Sequence, residues 1–255
     1  YTPKQYATTA SVLISTGDKK NNSISMEDFT NLSLGGGIGS SNLQDEIAIM
    51  KSKPILYDLV KKLNLDVQVV GEGRVLTTSL YDEVPIFGNL EISNLKKFRS
   101  QSYAFIPVNA NEFKLQQEGS AAQTYQYGKK NVIKDAPFTI YRQPLVAFKS
   151  PLTLKLNHPD AIVNSLENGI NATQDIKNKS SIIALILVGT IPEKNENILN
   201  ELIKEYNKDA INKKNLESQN TAAFIDSRLD LITKELGNIE DQKATFKRNN
   251  QITDL

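Results

Sequence analysis

The chain has 255 residues, of which 30 are lysine or arginine and 29 are aspartate or glutamate, so its formal net charge is +1. This balance excludes the strongly basic surface that is typical of nucleic-acid-binding proteins, and the length suffices for one large domain or two modest ones. The absence of cysteine excludes disulfides, thiolate metal sites and cysteine nucleophiles.

The longest apolar run extends from Ile182 to Val188, which is too short to cross a bilayer. No signal peptide opens the sequence, and Tyr1 leads directly into a strand-like stretch. We therefore expect the chain to be a piece of a longer protein, with any membrane anchor outside it.

The first predicted element is a half-buried strand over Tyr6–Thr16, because apolar residues alternate there with serine and threonine. From Asp18 to Ser41 the chain is polar and rich in glycine, which predicts a loop. Glycines near its end resemble a phosphate-binding loop, but the Lys-Ser/Thr pair of a Walker loop and the spacing of a dinucleotide-binding loop are absent. We interpret the stretch as a flexible lead-in to a helix that Ser41 and Gln44 cap.

Two helices are predicted over Asn42–Leu63 with a kink at Pro54, since proline is tolerated in the first turn of a helix and not in its interior. Short extended pieces follow at Val67–Val70 and Val75–Thr78. Residues Tyr81 to Pro151 form short β-like runs separated by glycine, proline and asparagine, which predicts an inserted β module.

Among the aromatic residues of this predicted module are nine that make up half of the chain's total, and they either fill its core or form an exposed platform for sugar rings. We favour the core, because a small module has few other large apolar side chains. The residues concerned are Phe98, Tyr103, Phe105, Phe113, Tyr125, Tyr127, Phe138, Tyr141 and Phe148.

After the module, Leu152–Leu156 predicts a strand, and the sequence Asn-His-Pro at 157–159 predicts the cap of a helix over Pro159–Ile170. His158 is the only histidine. Its position at a helix cap favours a structural role over that of a catalytic base or metal ligand.

A hairpin is predicted between Thr173–Ile176 and Ser181–Val188. The second strand is apolar on both of its faces, which predicts a central strand buried on both sides. We therefore expect that Ile186→Asp would place a charge in the interior and cost several kcal/mol.

From Pro192 to Arg248 the chain has no further proline and only one glycine, which predicts a single long helix with Pro192 in its first turn. At about 1.5 Å per residue it would span roughly 85 Å, so most of it is expected to project. Its second half carries apolar residues at alternating steps of four and three, the spacing of a heptad seam. The seam residues, predicted to serve helix packing or oligomerisation, are Ile225, Leu229, Ile232, Leu236 and Ile239.

Together these elements predict an α+β chain with an α/β base containing a mixed sheet, a small inserted β module and a long projecting helix. The predicted domains are residues 1–80 and 152–191 for the two parts of the base, 81–151 for the module and 192–255 for the helix, as the start of a helical hairpin or bundle. The strands Tyr6–Thr16, Leu152–Leu156 and Ser181–Val188 are expected in one layer of the base.

Four stretches, taken in order, carry a resemblance to a known family. They are Tyr6–Ile14, the helical region Leu43–Leu65, the strand and helix start from Ser180 to Asn207, and Ala223–Leu229 with its heptads. Their order resembles the periplasmic region of the Wzz-type chain-length determinants, the polysaccharide co-polymerases, including those fused to bacterial tyrosine autokinases. The family's second membrane helix and any kinase domain are absent from this chain, so the stand-alone and kinase-fused forms both stay open.

The resemblance implies a non-enzymatic protein, anchored in the inner membrane, whose periplasmic domain helps to set the length of a surface polysaccharide. It implies a homo-oligomeric ring, with the polysaccharide polymerase, the nascent polysaccharide and an outer-membrane export channel as partners, and no nucleic acid. The family has no established catalytic residues in this region, so the sequence predicts no catalytic, cofactor-binding or metal site.

Two other functions stay open. A periplasmic adaptor of an efflux or secretion system also has a long helical projection on a β-rich base, although its helical hairpin usually divides a lipoyl-like domain. A glycan-processing enzyme needs two carboxylates in one cleft. The acidic residues of this chain cluster instead at helix starts or along the long helix, where solvation and the helix dipole explain them.

Overall fold

A computed structural model describes residues 3–14, 43–72, 77–81, 84–92, 94–134, 136–148, 151–174 and 181–249. Over these ranges the chain is α+β, as predicted, with four helices and three sheets. The predicted mixed sheet is wrong, because every strand pair among the described residues is antiparallel. The described residues up to 206 belong to one compact unit, and residues 207–249 belong to a second.

The elements follow one another in this order: β1 (Tyr6–Leu13), α1 (Leu43–Met50), α2 (Lys53–Lys62), β2 (Val67–Glu72), β3 (Thr77–Leu80), β4 (Ile86–Leu90), β5 (Gln101–Pro107), β6 (Glu112–Gln116), β7 (Gln123–Gln126), β8 (Asn131–Ile133), β9 (Ala136–Arg142), β10 (Leu152–Leu156), α3 (Pro159–Gly169), β11 (Ile170–Gln174), β12 (Ile182–Gly189) and α4 (Pro192–Asn249). The predicted loop over Asp18–Ser41 and its capping serine lie outside the described residues.

The first sheet has the order β1-β12-β11, with β12 antiparallel to both neighbours. Ile183, Leu185 and Leu187 of β12 are buried on one face, where they pack in a core with α1, α2, α3 and the first turns of α4. The predicted hairpin partner and the central position of this strand are confirmed.

The opposite face of the same sheet is not buried, so the prediction of burial on both sides is wrong. Ile182 is 42% exposed, Val188 is 53% exposed, and Leu13, which lies opposite Ile182 in the register, is 72% exposed. Ile186 lies half-buried between them. The helices of this unit pack on the other face of the sheet, and these four side chains remain exposed or half-buried. We call them the open face.

Proline and the cap residues place the helix starts where the sequence predicts them. The predicted kink is a break between α1 and α2, with Ser52 as the N-cap of α2 and Pro54 in its first turn. His158 is the N-cap of α3: its Nδ1 accepts from the backbone N–H of Asp160 at 3.2 Å, and its Nε2 lies 2.9 Å from the carbonyl oxygen of Leu95. The structural role predicted for this histidine is confirmed.

The second sheet has the order β3-β2-β10-β5-β6-β7, and the third has the order β4-β9-β8. The predicted strand Leu152–Leu156 therefore forms as β10, but its expected place in one layer with β1 and β12 is wrong. It pairs instead with β2 and β5. Leu152, Leu154 and Leu156 point into a second core that these two sheets share. The four-part domain division stays a prediction.

Aromatic side chains supply much of this second core, as expected. Phe105 and Phe113 stack with ring centroids 5.0 Å apart, and both are buried. Tyr127 and Phe148 are partly buried and pack against this core, whereas Tyr141 is 39% exposed and stacks on Phe87 across β9 and β4 with ring centroids 5.2 Å apart. The interpretation as core residues is confirmed for Phe98, Tyr103, Phe105, Phe113, Tyr125 and Phe138.

The long helix is continuous over 58 residues from Pro192, so the predicted single helix is confirmed. Its first turns are held in the first core by Ile198, Leu199 and Leu202. Asn195 is buried as well, and its amide nitrogen lies 3.5 Å from the carbonyl oxygens of Tyr6 and Leu187. The helix is therefore fixed directly to β1 and β12.

Candidate interaction surface

The predicted heptad seam lies entirely on α4. Leu229, Ile232, Leu236 and Ile239 are each between 55% and 60% exposed, and Ile225 is half-buried. Steps of four and three residues keep side chains on one side of a helix that winds around a partner helix. The structure thus places all five predicted residues on one helix at heptad spacing, four of them exposed, while their role in packing or oligomerisation stays a prediction.

Charged residues flank the seam at the positions that face a partner in coiled coils. Asp226 and Arg228 lie beside Ile225, and Glu235 and Glu240 lie beside the later seam residues. Such flanking charges select partner and register, and a polar residue within the seam does the same at a cost in stability. Lys243 occupies a seam position and would have this second effect.

The energy available from the seam is modest. Complete burial of a leucine or isoleucine side chain contributes about 1.5 to 3 kcal/mol, so burying the exposed half of five such residues contributes roughly 5 kcal/mol per helix. The loss of translational and rotational freedom on association costs about 4 to 15 kcal/mol. Isolated copies should therefore associate weakly, and copies held together on a membrane should associate more strongly because their effective concentration is higher.

The open face of the first sheet is a second apolar surface. Leu13, Ile182, Ile186 and Val188 point to the same side, because residues paired directly across antiparallel strands share a face. The apolar pattern of β12 predicted that Ile182, Ile186 and Val188 lie in the interior, whereas Leu13 was not part of that prediction. The signal that could have identified them as a surface is the weak alternation of β1, whose Thr9 and Ser11 lie on the same side.

Among the described residues, no group of three or more His, Cys, Asp or Glu side chains could hold a metal ion. None of the described helices combines the length and apolar character that a membrane span requires. The glycine-rich stretch that resembles a phosphate-binding loop lies outside the described residues.

A scan of the chain against protein-family models finds no match. The functional interpretation therefore depends on the order of the elements and on the two apolar surfaces.

Proposed function

We propose that this chain is the periplasmic region of an inner-membrane polysaccharide co-polymerase. In this role it regulates the length and export of a surface polysaccharide, such as a capsule, an exopolysaccharide or a lipopolysaccharide O-antigen, and catalyses no reaction itself. Its partners are further copies of the same chain, the polysaccharide polymerase, the nascent polysaccharide and an outer-membrane export channel.

The observation that carries this proposal is the uninterrupted helix α4 with its half-exposed seam. A helix of 58 residues that leaves the central strand of a sheet matches the element order of the co-polymerases that the sequence resembles. An adaptor of an efflux or secretion system would place its helical hairpin between two halves of a β domain. In this chain the helix instead follows β12 directly.

Two separate apolar surfaces on one chain support a ring. In a cyclic assembly of more than two copies, each copy contacts its neighbours through two different patches, and the ring closes without leaving either patch exposed. The seam of α4 and the open face of the first sheet are two such patches. Anchoring in a membrane would align the copies and offset the weak association expected in solution.

The experiment introduces Leu229→Glu together with Leu236→Glu in the full-length membrane protein. Two carboxylates on the seam would have to lose hydration in any packed helix bundle, so we expect cross-linking between copies in membranes to fall and the length distribution of the polysaccharide to change. Both measurements are made on the same membranes.

The matched control is Leu231→Glu with Asn238→Glu. It adds the same two charges at the same spacing of seven residues on the same helix, but about 200° around the helix from Leu229 and Leu236 and therefore away from the seam. We expect this control to retain cross-linking and chain length. If the seam variant behaves like the parent in both measurements, the ring and the proposed regulation of chain length are contradicted.

A further inference from the structure

A cavity of about 570 Å³ lies where the second sheet meets α3 and the beginning of α4. Among the described residues, its lining contains two lysines, Lys155 of β10 and Lys194 of α4, and no aspartate or glutamate. Because these residues belong to elements that are far apart in the sequence, only the fold reveals that they share one cavity. The volume is within the range of small-molecule binding sites, about 300 to 1,000 Å³.

Lys194 occupies an unfavourable position for a cation. It is the third residue of α4, where the partial positive charge of the helix dipole opposes a positive side chain. Burial also lowers the pKa of its ammonium group, since the charged form loses hydration. Its backbone N–H has no acceptor within the helix, as is general for the first turn. An anion in the cavity would relieve each of these three unfavourable features.

Other lysines, unlike Lys194, have a carboxylate as an ion-pair partner. Lys204 pairs with Glu201 at 3.1 Å, and Lys213 pairs with Asp209 at 2.7 Å. Within the described part of the chain, neither Lys155 nor Lys194 has a carboxylate within ion-pair distance. Two lysines that share one cavity and have no carboxylate partner among the described residues indicate that the counterion belongs to a ligand.

The remaining lining suits a sugar. In the register of the second sheet, Lys155 lies opposite Gln68, and Val70 lies opposite Ser79, so their side chains point to one face. Ser165 of α3 adds another hydroxyl group from the facing helix. Hydroxyl and amide groups can bond to sugar hydroxyls, and apolar residues such as Val70 can contact the C–H groups of the ring.

We propose that this cavity binds a sugar unit that carries an anionic group, either a carboxylate or a phosphate. Lys155 and Lys194 provide the positive charge for the anion, and Gln68, Ser79 and Ser165 provide hydrogen bonds for the ring hydroxyls. The proposal rests on the proposed function for the source of this ligand, which would be an acidic unit of the nascent polysaccharide or its phosphate-linked end.

Calorimetric titration of the 255-residue chain tests the site with four probes: glucuronate, glucose 1-phosphate, glucose and inorganic phosphate. We expect glucuronate or glucose 1-phosphate to bind at least about tenfold more tightly than glucose and inorganic phosphate, with an affinity that falls as salt is added. The preferred acidic probe distinguishes a carboxylated unit from a phosphate-linked end. Absent binding, or binding of phosphate as tight as that of either acidic sugar, would overturn the proposal.

Variants assign the binding to the two lysines. Lys155→Gln and Lys194→Gln should each weaken binding of the acidic sugar by about tenfold or more, as expected when a hydrogen bond to a charged group is lost. Lys234→Gln makes the same charge change at an exposed position of α4 and should bind like the parent. Circular dichroism verifies that each variant is folded, and unchanged binding in both cavity variants would overturn the assignment.

The failure of this site and the failure of the proposed function are distinguishable. Leu229→Glu with Leu236→Glu leaves the cavity intact and should retain sugar binding in solution. Retained binding with unaltered cross-linking and chain length would contradict the co-polymerase function and leave the site standing. Absent sugar binding by the parent chain, together with lost cross-linking in the seam variant, would contradict the sugar site and support the co-polymerase function.

Discussion

Two adjacent residues of β12 provide the sharpest test of the fold. Leu185 is fully buried against the helices, whereas its neighbour Ile186 points to the open face and is half-buried. Replacing each with aspartate makes nearly the same chemical change on opposite sides of one strand. Because side chains alternate along a strand, the difference between the two variants measures how differently the two faces are covered.

The expected magnitudes differ by several kcal/mol. Leu185→Asp removes about 2 to 3 kcal/mol of apolar burial and places a carboxylate where water cannot reach it, which costs several kcal/mol more. A total near 5 kcal/mol or above is comparable with the whole stability of many domains, about 5 to 15 kcal/mol. The cost of several kcal/mol that the sequence predicts for Ile186→Asp is too large, because this side chain is only half-buried. The variant loses about 1 kcal/mol of burial and up to about 1 kcal/mol of strand preference, while its carboxylate stays hydrated.

Urea denaturation of the 255-residue chain, followed by circular dichroism at pH 7, measures both free energies of unfolding. Leu185→Ala and Ile186→Ala serve as uncharged controls, with expected losses of about 3 and about 1 kcal/mol. We expect Leu185→Asp to be largely unfolded and Ile186→Asp to remain folded. Equal destabilisation by the two aspartates would show that the second face is also covered, and the reasoning from the open face would be refuted.

Two further predictions concern the second core and its edge. Burial raises the pKa of Asp66 from 3.8 to about 6, so the folded state binds more protons than the unfolded state between these values, and stability falls as pH rises through this window. This pKa shift corresponds to a loss of about 3 kcal/mol of stability at neutral pH. The variant Asp66→Asn should therefore flatten this part of the pH dependence of the urea midpoint. A pH dependence equal to that of the parent would contradict the assignment of the shift to Asp66. A Cβ on Gly88 would lie 2.5 Å from the carbonyl oxygen of Thr139 and 2.5 Å from Cδ1 of Ile140, so Gly88→Ala should cost about 1 to 3 kcal/mol, measured as a lower melting temperature. A melting temperature equal to that of the parent would show that the two strands separate easily there.

Local chemistry made most elements predictable from the sequence. Proline has no backbone N–H and a fixed φ, so Pro54, Pro159 and Pro192 each mark a first turn, and the structure places all three there. The seam of α4 was predictable for a similar reason, since heptad spacing depends only on neighbouring residues along one helix. These features need no knowledge of distant contacts.

Strand partners were not predictable in the same way. The alternation of Leu152–Leu156 indicates a strand and its apolar face, but it contains no information about which strand lies beside it. Its neighbours β2 and β5 precede it by long stretches of chain. Lys155 and Lys194 were missed for the same physical reason: a cavity depends on residues that only the folded chain brings together.

The incorrect prediction that β12 is buried on both faces has a different cause, and this cause links the fold to the proposed assembly. A strand that is apolar on both faces indicates that both faces avoid water in the functional state, but it does not indicate which molecule covers them. In this chain the helices cover one face, and Ile182, Ile186 and Val188 on the other remain partly exposed. The half-exposed seam of α4 has the same character, since its pattern also requires a partner. The sequence thus encodes more apolar burial than the described residues of one chain provide, and in a ring of copies the neighbouring chains would supply the rest.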